Sequence, residues 1–142
     1  MADLEDVVCP VSRTVAYPSM RAEVAVALAS LADIEHQVDA WLHRADPPSN
    51  YDSLDMVVHV LYDDMAVLPD PEKRVGTVVH EGDEVRALLA LDQVLGPVLA
   101  RLGNTQERVY LGVSEWPEVA RRAGVALAAM VRGGGVDVPR GE

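Results

Sequence analysis

Asp55, His59 and Asp63 are the residues whose types and spacing come closest to a chemical site. They recur every four positions, so on an α-helix they share one slowly drifting face. An imidazole with a carboxylate one turn to either side is a partial ligand set for a divalent cation, and Asp64 can add an oxygen. The same row can tune the imidazole for acid–base work, since a carboxylate neighbour raises a histidine pKa. A zinc site needs further ligands from a second helix; Glu35, His36, Asp39, His43 and His80 are the candidates. His36 and His43 lie seven apart with Asp39 between them, a second face of this kind. The plainer reading is an aspartate holding a half-buried His59, and it has the stronger claim, because acids often recur at helical spacing by chance. No catalytic nucleophile with its base can be named. The chain has no Gly-x-Ser-x-Gly elbow, no Gly-Lys-Ser/Thr phosphate loop and no Cys-x-x-Cys pair. A divalent metal is the one cofactor the residues suggest.

Charge supplies the second feature. Over 142 residues, 23 acids stand against 12 bases, a net charge of −11 with histidine neutral. That field repels phosphate backbones and anionic headgroups, so nucleic acid and membrane surfaces are disfavoured partners. The acids are also unevenly placed: seven of them, and no Lys or Arg, lie between Arg44 and Lys73. Such a belt can steer a basic protein at long range. Tyr51, Asp52, Tyr62, Asp64, Asp70 and Glu72 are its candidate partner-binding residues, tyrosine being common at binding hot spots. The alternative is a solvated, solubilising surface.

These residues need elements to hold them. The length suits one domain, and apolar usage of 49% suits a buried core. Residues 1–17 carry no sustained period and read as a partly disordered arm that can pack through Val15 and Tyr17. A single helical domain is expected over 18–132. A flexible tail over 133–142 follows Gly133-Gly134-Gly135. Within the domain, Met20, Val24, Ala27, Leu28 and Leu31 share a helix face, with Ser19 as the expected cap. Ile34, Val38, Trp41, Leu42 and Ala45 continue the spacing after Asp33, which either caps or interrupts. Leu54, Val57, Val58, Leu61 and Met65 form the next stripe, with Asp52 or Ser53 as cap. Residues 56–61 are also strand-like in composition, and helix is the preferred assignment. Asp70-Pro71-Glu72 opens a short helical turn. The clearest helix runs from an Asp83 cap through Val85, Leu88, Leu95 and Val98, with a kink expected at Gly96-Pro97. The last starts near Ser114 and buries Trp116, Val119, Ala120, Ala123, Leu127, Met130 and Val131. The expected architecture is all-α, a compact bundle of four to five helices.

The block from Tyr51 to Asp64, followed by Leu68-Pro69-Asp70-Pro71-Glu72 and Val75-Gly76-Thr77-Val78, resembles an uncharacterised family of small acidic proteins from GC-rich bacteria. The resemblance spans roughly residues 14–131. It implies a bacterial, cytoplasmic, single-domain protein and transfers no catalytic residue. Eleven of the twelve bases are arginine, which agrees with GC-rich coding. Cys9 is the only cysteine, and an acidic start replaces the basic one of a signal peptide, so a cytoplasmic location is expected. Function is unknown from sequence. The leading expectation is a non-catalytic, acidic protein-binding module, in the manner of an inhibitor, regulator or immunity protein. A metal-dependent enzyme on the Asp55/His59/Asp63 face is the first alternative. The second is a homo-oligomeric structural protein self-associating through the Ala-rich stretches 25–32 and 120–129.

Overall fold

Helix α1 (Pro18–Ala32) opens on its proline, whose missing N–H is harmless at a first position. Tyr17 is its cap residue and contributes no side-chain hydrogen bond, so the expected Ser19 cap does not form. Asp33 has extended backbone, and its carboxylate accepts the His36 N–H at 3.1 Å. That cap starts α2 (Ile34–Gln37), which runs on as a π-helical turn over Val38–Leu42. Ser53 acts likewise for α3 (Leu54–Val58), accepting the Met56 N–H at 3.1 Å. The chain then continues as a π-helical turn over His59–Asp64. Residues 56–61 are therefore helical. The computed structural model of the chain describes residues 15–42, 53–103 and 105–134.

A 3-10 turn over Pro71–Arg74 occupies the place expected for a short helical turn. Val75 and Val79 meet in one isolated bridge, and no strand occurs among the described residues. Helix α4 (Asp83–Leu102) follows Gly82, whose positive φ of 101° makes the entry turn. Asp83 is its first residue and pairs with Arg86, so it does not cap. α4 runs unbroken through Pro97 until Gly103, with φ of 62°, stops it. Helices α5 (Glu107–Leu111) and α6 (Trp116–Gly133) complete an all-α architecture.

α6 packs on α4 and on α1 more extensively than any other pair of elements packs together. The core holds Val24, Leu28 and Leu31 of α1, Leu88, Leu91 and Leu95 of α4, and Trp116, Ala123, Ala126 and Met130 of α6. The alanines let these helices approach closely, and Ala25, Ala27, Ala120, Ala123, Ala126 and Ala129 are all buried. At α2 the observed stripe differs from the expected one. Ile34 and Val38 are exposed, while Gln37 is fully buried. The cause is a hydrogen-bond demand. Gln37 Nε2 donates to the carbonyls of Ser30 (2.9 Å) and Leu31 (2.7 Å) at the end of α1, and its Oε1 accepts the Trp116 indole N–H at 2.7 Å. A carboxamide that satisfies two terminal carbonyls and an indole outweighs the gain from burying one more aliphatic side chain.

Of the expected N-terminal arm only Val15, Ala16 and Tyr17 are described. Val15 is buried and Tyr17 is exposed, and the N–H groups of Ala16 and Tyr17 donate to the carbonyls of Gly76 and Thr77. The rest of that arm, the tail beyond Gly134, and Cys9, His43, Tyr51 and Asp52 lie outside the described residues. No helix among the described residues is long and apolar enough to cross a membrane.

Candidate functional site

The Ser53 cap and the switch from α to π winding set the positions of Asp55, His59 and Asp63. All three are exposed. His59 Nδ1 stands 2.8 Å from Asp63 Oδ2, whereas Asp55 contributes no partner to the pair. The expected half-buried His59 is thus corrected to an open one, its side chain 64% accessible. Nor is the metal triad assembled. Among the described residues no group of three His, Cys, Asp or Glu side chains stands close enough to hold a metal ion. The His59 imidazole is taken by Asp63, four residues on, and Asp55 forms no pair with it.

The belt residues divide. Asp55, Asp64 and Glu72 are exposed and carry no ion-pair partner among the described residues, while Asp70 reaches Lys73 only at 3.9 Å. Tyr62 faces inward instead and packs against the core. Its hydroxyl donates to Asp92 Oδ1 at 2.6 Å. Burial, and then the Asp92 carboxylate, push the Tyr62 pKa well above its ordinary value, so the hydroxyl stays protonated. The π-helical turn over His59–Asp64 brings His59, Asp63 and Asp64 out to solvent while keeping Val60 and Leu61 buried. Such turns are rare and recur at functional sites.

Beside this stretch lies an open cleft of about 730 Å³, walled by Leu54, Val58, Leu99 and Tyr110 and edged by Asp55 and Glu107. Glu107 is fixed by structure: its Oε2 accepts the Leu54 N–H at 2.7 Å, a second cap for α3. Tyr110 is likewise held, through its hydroxyl to the Gly103 carbonyl.

A second constellation lies in the interior, between α1, α4 and α6. Arg21 and Glu84 are buried, with 1% and 3% of their side chains accessible, and form a bidentate pair at 2.7 Å on both arms. The remaining guanidinium donors reach the carbonyls of Gly134 (3.0 Å), Val78 (3.1 Å) and Met130 (2.9 Å). All five N–H groups are therefore engaged. Glu84 also accepts the His80 backbone N–H at 2.8 Å and lies 3.0 Å from His80 Nδ1. Burial acts to raise the Glu84 pKa. Hydrogen bonds from Arg21 and the His80 backbone more than offset it and hold the carboxyl below its ordinary value. The placement also suits the helix dipoles, with the anion at the start of α4 and the cation at the end of α6. Gly133 leaves the room: a Cβ there would overlap Glu84 Oε2 and crowd His80 Nδ1 and Arg21 Nη2. With every Arg21 donor engaged, this node ties α1, α4 and α6 together. A signal for it was present. Arg21 shares a stripe with Val24 and Leu28, and Glu84 with Leu88 and Leu91, which puts opposite charges on two apolar faces.

Fold and geometry together define a small all-helical protein, locked by a buried ion pair and bearing an acidic outer stretch. The chain belongs to the family described as Domain of unknown function (DUF7945), whose model matches residues 15–137. No curated protein and no solved structure matches it.

Proposed function

We propose that this chain is a non-catalytic binding module whose acidic stretch, from Asp55 to Glu72, engages a basic, amphipathic segment of another protein. The distribution of bases carries the reading. Arg21, Arg86, Arg101, Arg121 and Arg122 are each paired with a carboxylate of this chain, away from the stretch. Among the described residues Asp55, Asp64 and Glu72 have no such partner; Lys73 and Arg74 lie at the end of the stretch, and the Arg74 guanidinium turns to the Ala66 carbonyl and to no carboxylate. A net charge of −11 then concentrates its field where it is least neutralised. The cleft beside Asp55 supplies apolar walls for a partner's side chain, which charge alone does not. Tyr51 and Asp52 adjoin the stretch in sequence and extend it. The arginine bias and the lone cysteine support a cytoplasmic protein of GC-rich bacterial origin.

Stopped-flow association with an arginine-rich amphipathic peptide tests the reading. The on-rate should fall roughly tenfold or more between low and high ionic strength, as expected of steered encounters. A rate indifferent to salt contradicts it.

A further inference from the structure

We infer that the outer face of α1 and α6 is a docking surface for a second copy of this chain. The two helices run antiparallel. Arg21, early in α1, bonds to the carbonyls of Met130 and Gly134 at the end of α6, while Ala32 at the end of α1 lies beside Gly124. Their core-facing and mutually facing sides are thereby fixed, and helical periodicity places the remainder. The seam between them is edged by small residues, Ala22 and Ala29 on one side and Gly124 and Ala128 on the other. Val26 and Val125 flank it with accessibilities of 58% and 47%, the most exposed large aliphatic residues among those described.

Charge on this face selects the occupant. The exposed Glu23 of α1 and Arg132 of α6 carry no ion-pair partner within the described chain, and they lie at the same end of the pair. A two-fold axis along the seam sets each α1 over the other copy's α6. It brings Glu23 opposite Arg132 of the other copy, twice, and Val26 over the Ala128 region. The face is thus complementary to itself, as an isologous interface requires. Its remaining charges are Glu118 and Arg121, already paired, while Arg122 turns to the Ala90 carbonyl of α4. In a chain of net −11, this is a surface on which a like-charged copy meets no excess of acid. The area is small. Helices of this length and width present roughly 450 Å² per copy, below the ~800 Å² of a standard interface, so the dimer is weak.

Salt separates this contact from binding of a basic partner. Screening relieves repulsion between two −11 chains, so self-association should strengthen with ionic strength. Sedimentation equilibrium of the full chain, up to about 500 µM, is the test, since a weak dimer has a dissociation constant in the micromolar range or above. The mass should climb from 15.3 kDa toward twice that value, and further at high salt. Val26→Glu with Val125→Glu should hold it at the monomer mass; both side chains are exposed, so the fold is kept, which circular dichroism checks. Glu23→Arg or Arg132→Glu alone should weaken the dimer, and the double exchange should restore it. A wild-type mass that stays at 15.3 kDa throughout overturns the proposal and leaves the face to another occupant. So does a dimer unchanged in the valine variant.

Discussion

Two histidines in this chain each sit four residues before a carboxylate, and the two pairs behave as opposites. His59 and Asp63 lie 2.8 Å apart on an open π-helical turn, with accessibilities of 64% and 61%. His80 and Glu84 lie 3.0 Å apart at 12% and 3%. Spacing is the same; surroundings decide. The exposed pair meets water of high dielectric, where an ion pair contributes about 0–1 kcal/mol. The buried pair belongs to a node with Arg21, where Coulomb attraction is strong and a missing partner leaves a charge without solvation. One site can therefore lose a member without harm and stay available to a partner. The other holds the fold together, with every Arg21 donor engaged inside the chain.

The comparison is broken most forcefully at Arg21. Arg21→Met leaves Glu84 buried without its cation and should destabilise by about 3–5 kcal/mol in denaturant titration. Adding Glu84→Leu should recover most of that loss, because the pair removed together leaves no uncompensated charge. Acid should act on the same node. The Glu84 pKa is depressed below its ordinary 4.5, so its contribution is complete above that value and is lost as pH falls through the folded-state pKa. Thermal unfolding should show stability declining below pH 4.5, and less steeply in the Arg21→Met/Glu84→Leu variant.

The next effects are smaller. Gly133→Ala puts a Cβ into the Glu84 carboxylate and should cost about 1–3 kcal/mol, although alanine ordinarily favours helix by ~1 kcal/mol over glycine. The two tryptophans give a parallel contrast. Trp116→Phe strands the Gln37 carbonyl oxygen in the core and should cost about 1–3 kcal/mol. The Trp41 indole N–H is buried with no hydrogen-bond partner among the described residues, so Trp41→Phe should cost less. At the exposed pair, Asp63→Asn should shift stability by no more than about 0.5 kcal/mol.

Much of this was legible in the sequence. The apolar stripes of α1, α4 and α6 are regular, and Asp33, Ser53, Gly103 and Gly133 mark helix ends that the structure keeps. What escaped were polar residues with tertiary partners. Gln37 is buried in α2 while Ile34 and Val38 are exposed, because it answers carbonyls of α1 and an indole of α6. Arg21 and Glu84 meet only when three helices fold together, which no local spacing reports. The π-helical winding at His59 also left no mark in spacing. Local periodicity reads burial of apolar side chains well; it does not report which polar groups will find one another across 63 residues.

The central claim is that the Asp55–Glu72 stretch binds and the rest of the acidic surface does not. Two triple variants of equal net charge test it most directly. One carries Asp55→Asn, Asp63→Asn and Asp64→Asn; the other carries Glu35→Gln, Asp39→Asn and Glu81→Gln, all exposed. Affinity for the arginine-rich amphipathic peptide, measured by titration calorimetry at one ionic strength, should fall roughly tenfold or more in the first, equivalent to ~1.4 kcal/mol or more. It should change little in the second. Equal losses in both would mean that net charge alone attracts the peptide, and would contradict a localised site.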